Sequence, residues 1–229
     1  MVLTISFDTA TYYAGVGLSL DGAVTERIWR SKNNHGVELM THAEALLNDA
    51  GRTFRDIDRV AVAIGPGRFT ALRVGISTAK GVCSVRGLPL VGISTFELMA
   101  MDHWKAPGPL VVAVDAGSSG VAWAHYPRPS EFPVPVAEAR AGVGVAMPKD
   151  LVARFGTGAR FCGEGAGRLR GLVDDGRIMG GEGPARRPWH LLELSTPRFE
   201  AGDTDDPARL VPFYVRQPTI ARSNGPGSE

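Results

Sequence analysis

Two aspartates, each closing an apolar run and followed by small residues, are the side chains best placed to do chemistry in this chain. Asp8 follows Ile5-Ser6-Phe7 and precedes Thr9-Ala10-Thr11; Asp115 follows Val112-Ala113-Val114 and precedes Ala116-Gly117-Ser118. A carboxylate and hydroxyls at the end of a strand can hold a metal-bound phosphate. The same carboxylate can instead accept backbone N–H groups of its own turn, which is the favoured reading here. Between the two aspartates lies Gly65-Pro66-Gly67, directly after the apolar run Val60–Ile64 and before a helix-like segment. Pro fixes φ and Gly supplies conformations other residues avoid, so the turn aims helix N–H groups at whatever lies before it. Gly163-Glu164-Gly165-Ala166-Gly167 is a weaker signal of the same kind, more often a plain strand-to-helix turn.

Other chemistries are excluded by spacing. His35 and His42 stand seven residues apart, about 10 Å along a helix axis, too far to share one ion held at ~2 Å from each nitrogen. His103, His125 and His190 are scattered, Cys83 and Cys162 have no partners at metal spacing, and no G-x-S-x-G elbow occurs. No metal site and no cofactor are expected. Two cysteines cannot build a disulfide framework and read as buried thiols of a reducing compartment. With 44% hydrophobic and 21% charged residues the chain has the composition of a globular protein. Its net charge of +1 lacks the footprint of a stand-alone nucleic-acid binder. No leader-like or membrane-spanning run is seen, so a cytoplasmic location and no membrane partner are expected.

The elements that must position these residues follow from periodicity. Val2–Phe7, Ala14–Leu20 and Ala23–Trp29 predict three strands, with Asp21-Gly22 as a hairpin turn. Helical spacing of Leu39, Met40, Ala43, Leu46, Leu47 and Ala50 predicts a helix from about Gly36 to Ala50, with Asn33 or Asn34 as N-cap and Gly51 as the stop. A strand over Arg59–Ile64, a helix over Thr70–Arg86 and a strand over Leu90–Ile93 complete a β-β-β-α-β-α-β unit. The overlay of Asp115 on Asp8 suggests a second copy beginning near Leu110, after Pro107-Gly108-Pro109. The expected division is an N-terminal lobe over 1–104, a smaller C-terminal lobe over 105–222 and a flexible tail over 223–229. This is an α/β fold of two ribonuclease H-like lobes, the architecture of the actin/sugar-kinase (ASKHA) superfamily.

Phe7-Asp8-Thr9-Ala10-Thr11 together with Gly65-Pro66-Gly67-Arg68-Phe69-Thr70-Ala71-Leu72-Arg73-Val74-Gly75 resembles the TsaB (YeaZ) family, with its I-D-T-S/A-T and G-P-G-S-F-T-G-L-R-I/V-G motifs. His35-Gly36-Val37-Glu38-Leu39, Ala79-Lys80-Gly81, Pro89–Thr95, Gly163–Ala166 and Pro212–Arg216 are similar to further family landmarks. Arg68 and Ala71 stand where the family has Ser and Gly, and Asp115–Val121 lacks the family's Arg and Glu. Arg68 could pair with a carboxylate such as Asp8 or point into solvent. The resemblance implies a non-catalytic scaffolding subunit of the tRNA N6-threonylcarbamoyladenosine transferase complex, in which the nucleotide cleft of the superfamily's nucleotide-binding members, here Asp8, Thr9, Thr11, Gly65, Gly67 and Asp115, is vestigial. It also implies dimerisation with a catalytic TsaD-type subunit, a homodimer when alone, contact with a TsaE-type ATPase through the complex, and tRNA only indirectly. The rival is an ATP-dependent small-molecule kinase of the same superfamily.

One surface is singled out by the residues themselves. Ala71, Gly75, Ala79, Cys83 and Gly87 recur every fourth residue as a stripe of small side chains, which permits close packing. The stripe could face the lobe's own sheet. Apolar residues outside the main stripes favour a partner instead. The expected interface is Val37, Met40, Leu47, Leu72, Gly75, Ile76, Ala79 and Cys83.

Overall fold

The computed structural model describes residues 1–31, 34–127, 140–156, 158–180 and 183–215. The expected tail over 223–229 and the N-cap candidate Asn33 lie outside the described residues. Strands β1 (Leu3–Asp8), β2 (Tyr13–Leu20) and β3 (Ala23–Arg30) form an antiparallel meander, and β4 (Arg59–Gly65) and β5 (Leu90–Ser94) add to β1 in parallel. The sheet order is β3-β2-β1-β4-β5. Every residue of β1 is buried, as expected of a central strand covered by helices on both faces. The β2–β3 turn is built by Asp21 and Gly22 at φ 48° and 87°, the left-handed pair of a tight hairpin.

One face of this sheet carries α1 (His35–Asp49) and α2 (Phe69–Arg86). Leu39, Ala43, Leu46 and Leu47 of α1 join Ile76, Ala79 and Cys83 of α2 in a core with Ile5, Val16 and Val60. Gly51 and Gly87 stop the two helices at φ 65° and 66°, where a side chain would be strained. Asn34 occupies the N-cap of α1, yet its side chain makes no capping hydrogen bond.

The second sheet repeats the plan. Strands β6 (Leu110–Asp115), β7 (Val121–Tyr126) and β8 (Gly142–Ala146) are antiparallel, and β9 (Arg160–Cys162) joins β6 in parallel, giving β8-β7-β6-β9. This is the order β3-β2-β1-β4 of the first sheet, with α4 (Pro148–Phe155) following its third strand as α1 follows β3. Asp8 and Asp115 thus end equivalent central strands, and the fold is the two-lobed ASKHA type.

The lobes are not simple halves of the sequence. Phe96, Met99 and Ala100 of α3 (Thr95–Ala100), together with Trp104, pack into the second core although they precede the expected linker. More consequentially, α5 (Pro188–Glu200) crosses back and covers the free face of the first sheet. Leu191 and Phe199 pack there against Ala61, Ala63, Val91 and Ile93. Gly17 permits this approach: a Cβ on it would meet Ser6 Oγ at 2.7 Å and Pro188 Cβ at 2.9 Å.

Candidate functional site

Returning α5 to the first sheet brings the residue just before it into the space between the lobes. Arg186 is buried beside Asp8, which is 3% exposed. Its Nε donates to Asp8 Oδ2 at 2.5 Å and its Nη2 to Asp8 Oδ1 at 3.1 Å, a two-point grip. Nη1 donates to Thr11 Oγ1 at 3.0 Å and to Glu164 Oε1, and Nη2 also donates to the Tyr13 carbonyl at 2.9 Å. A guanidinium has five N–H groups, so these contacts employ the whole donor set. Thr11 Oγ1 donates onward to Glu164 Oε2 at 2.5 Å. Burial opposes the charge on Arg186, but Asp8 and Glu164 outweigh it and hold the guanidinium above its ordinary pKa. Asp8 also caps its own turn by accepting from Ala10 N–H at 2.8 Å. The turn-capping role expected of Asp8 is therefore present, with an ion pair added to it.

Asp115 is treated in the same way on the other lobe. It accepts from Gly117 N–H at 3.1 Å and from Arg168 Nη1 at 2.8 Å. Arg168 donates as well to the carbonyls of Gly117 and Gly120. Asp115 is exposed where Asp8 is buried, so its ion pair is screened and weaker. Asp115 lines a cleft of about 850 Å³ whose walls also include Thr11, Gly67 and Glu164, whereas Asp8 lies buried outside its lining. Thr9 does not face it. Thr9 is buried and its Oγ1 donates to the Ala71 carbonyl at 2.6 Å. Gly65 and Gly67 serve close approach: a Cβ on Gly67 would sit 2.0 Å from the Ala10 carbonyl oxygen, and Gly65 holds φ 110°.

Asp8 is taken by Arg186, and Arg68 lies over the Tyr12 ring, 4.2 Å from its centroid. His35 is buried, and burial, aided by Arg68, pushes its pKa below the usual imidazole value. His42 instead stacks on Trp29 with centroids 4.1 Å apart. Among the described residues no three His, Cys, Asp or Glu side chains converge, and no helix is long and apolar enough to cross a membrane.

The residues expected at an interface divide sharply. Leu47, Leu72, Ile76, Ala79 and Cys83 are all at most 3% exposed and belong to the lobe's own core. Gly75 is buried because α2 crosses Thr9 there; a Cβ would meet Thr9 Oγ1 at 2.5 Å. The small-residue stripe is thus an internal contact, which corrects the expectation that it faces outward. Val37 and Met40 alone of that set are exposed, at 63% and 40%. The outward face of α2 carries Arg73, Ser77, Gly81, Ser84 and Val85.

Arg186 is the functional residue that spacing did not single out, and Glu164 entered only as part of the weak Gly163–Gly167 turn. The sequence signal for Arg186 is indirect: an acid placed inside an apolar strand demands a cationic partner. Nothing local says which of many arginines, 178 positions away in this case, supplies it.

Comparison with known proteins places this arrangement. A family model described as "TsaD: tRNA N6-adenosine threonylcarbamoyltransferase" matches residues 29–132. The tRNA threonylcarbamoyladenosine biosynthesis protein TsaB of Escherichia coli is 33% identical over 126 residues, covering 54% of this chain and 54% of that protein. TsaB of Bacillus subtilis is 33% identical over 113 residues, 49% of each chain. The chain therefore spans about half the length of the curated relatives it matches. The solved structure of YeaZ from Pseudomonas aeruginosa superposes with a TM-score of 0.73 at 21% identity, covering 93% of this chain and 100% of that one. A second structure, an uncharacterized Pseudomonas aeruginosa protein with similarity to peptidase YEAZ, gives 0.74 at 22% identity and covers 94% of this chain and 100% of that one. At such identity these structures speak for the fold. The sequence matches, over about half of the chain, are to TsaB proteins: there the chain is similar to the TsaB (YeaZ) family.

Proposed function

We propose that the chain is a non-catalytic subunit in tRNA threonylcarbamoyladenosine biosynthesis, acting by pairing with a TsaD-type catalytic subunit. The relatives' names supply the pathway. The observation that carries the subunit reading is the commitment of both strand-end carboxylates, Asp8 and Asp115, to arginine. A kinase of this superfamily would need those carboxylates for magnesium and phosphate. With Arg186 buried on Asp8, recruiting it would require breaking a buried ion pair, which costs about 3–5 kcal/mol. In this reading a TsaE-type ATPase joins through the complex, tRNA is met only indirectly, and the isolated chain pairs with itself.

The docking face of this proposal is the outer side of α1 and α2. Val37 and Met40 of α1 present apolar surface, and Gly81 of α2 has nothing within 4 Å of the position a Cβ would occupy. Glycine inside an exposed helix costs about 0.5–1 kcal/mol relative to alanine. A helix from a partner can approach closely over Ser77, Gly81 and Ser84 while covering Val37 and Met40.

Met40→Asp and Val37→Arg test this, since both side chains are exposed and the fold should survive, as circular dichroism will show. An unpaired charge buried in an interface costs several kcal/mol, and each 1.4 kcal/mol is tenfold in affinity. Ultracentrifugation should show loss of self-association, and reconstituted threonylcarbamoyl transfer with a TsaD-type subunit should fall at least a hundredfold. Folded variants that keep both would place the interface elsewhere. Unaided modification of tRNA by the wild-type chain would refute the non-catalytic reading.

A further inference from the structure

Beyond α5 the chain turns back and runs along the β5 edge of the first sheet as a strap, residues 203–215. Asp205 donates its N–H to the Leu90 carbonyl at 2.8 Å and accepts the Gly92 N–H on its carboxylate, also at 2.8 Å. Leu210 packs on the first core, and the Phe213 N–H donates to the Ile64 carbonyl at 2.7 Å. From there the side chains cross to the other lobe. The Phe213 ring meets Phe96 edge-on at 6.4 Å and lies under the Arg140 guanidinium. Val215 joins the same second core, while Tyr214 stacks at 5.5 Å on Phe69, the first residue of α2.

The interior on which this strap sits is poorly satisfied. The hydroxyls of Thr95, Tyr126 and Tyr214 are buried with no hydrogen-bond partner among the described residues. Glu97, next to Phe96, is buried as well. Its carboxylate accepts the Ser94 N–H and faces Arg140, Arg198 and Tyr126; Tyr126 in turn faces Arg140 and Cys162. A buried polar group without a partner has lost its bonds to water and regains them on exposure. Each such group narrows the gap between a seated and a lifted strap. We propose that residues 203–215 form a releasable latch between the lobes, whose lifting hydrates Thr95, Glu97, Tyr126 and Tyr214 while both lobes stay folded. The lobes remain joined by α5 and the ion pairs of Arg186. Since Tyr214 and Val215 line the cleft, lifting opens one of its walls and uncovers Phe69. Glu97 ties the latch to pH. Burial raises its carboxyl to about 7, and hydration in the lifted state returns it to about 4.3. A bound proton therefore holds the latch down, and its loss between those values favours lifting. This inference is independent of the proposed subunit role.

Native-state hydrogen exchange of the full chain, read residue by residue by NMR, tests this. With intrinsic rates divided out, the Asp205 and Phe213 amides should exchange together, about a hundredfold or more faster than those of Ile5 and Phe7 in β1. Their opening equilibrium should rise by up to about tenfold per pH unit from about pH 4.5 to 7 and level off above. Glu97→Gln should remove that rise. Tyr214→Phe discards a stranded hydroxyl and keeps the ring on Phe69, so Phe213 exchange should slow about fivefold or more. Exchange of Phe213 no faster than β1 would mean that it opens only with the whole protein, and would overturn the proposal. So would separate exchange of the two strap amides, an opening equilibrium indifferent to pH, or unchanged Phe213 exchange in Tyr214→Phe.

Discussion

Replacing Arg186 with Met tests whether the ion pair beneath the cleft is what locks the two halves of the chain together. The side chain is about the same length, so little cavity forms, but Asp8 is left 3% exposed with only the Ala10 N–H as a polar partner. Glu164 and Thr11 lose their shared donor as well. Removing one partner of a buried pair costs about 3–5 kcal/mol, because the other charge stays desolvated. For a protein of this size, 1 kcal/mol moves the melting temperature by about 2–4 °C, so the variant should melt roughly 6–20 °C lower. The loss should be smaller near pH 5 than near pH 8, since protonation discharges an orphaned buried carboxyl. The double variant Asp8→Asn/Arg186→Met should recover much of it by removing the stranded charge. Calorimetry of wild type, both single variants and the double variant measures this coupling. A loss under about 1 kcal/mol, or a double variant no more stable than Arg186→Met, would show that the pair does not hold the chain's return to the first sheet.

Two further outcomes are expected. Glu97 is buried in α3, and burial raises its carboxyl to about 7 against the lowering influence of Arg140 and Arg198. A group whose pKa is raised on folding contributes stability below its unfolded value, about 4.3, and loses it as pH climbs through the folded one. Unfolding free energy should therefore fall by roughly 2–3 kcal/mol between about pH 4.5 and pH 7.5 from this group. Glu97→Gln should flatten that slope; an unchanged profile in denaturant titrations would remove Glu97 as its source. Gly75→Ala should destabilise by about 1–3 kcal/mol through the clash with Thr9. Gly81→Ala, with open space around it, should stabilise the isolated chain by about 0.5–1 kcal/mol while weakening self-association. Equal effects of the two substitutions on melting would contradict the assignment of inner and outer faces.

The sequence by itself determined the elements of the first sheet, the two helices on one face of it and their order. β1 to β5 and the first two helices appear where periodicity placed them, to within a residue or so at each end. Alternating or continuous apolar runs, the Asp21-Gly22 turn and the stops at Gly51 and Gly87 are local signals, and local backbone preferences suffice to read them. The equivalence of Asp8 and Asp115 was legible for the same reason, since both end an apolar strand of the same type. What only the tertiary structure decided is which surfaces meet. A stripe of small residues at every fourth position of α2 is equally compatible with an inner and an outer face. The contact of Gly75 with Thr9, in the turn just past β1, turns it inward. Likewise, α5 reads as part of the second lobe by position yet covers the first sheet, because Gly17 opens space for Pro188 there. That return carries Arg186 to Asp8 across 178 residues. Pairing over such a separation is set by desolvation and charge in the assembled interior, and no short-range pattern along the chain encodes it.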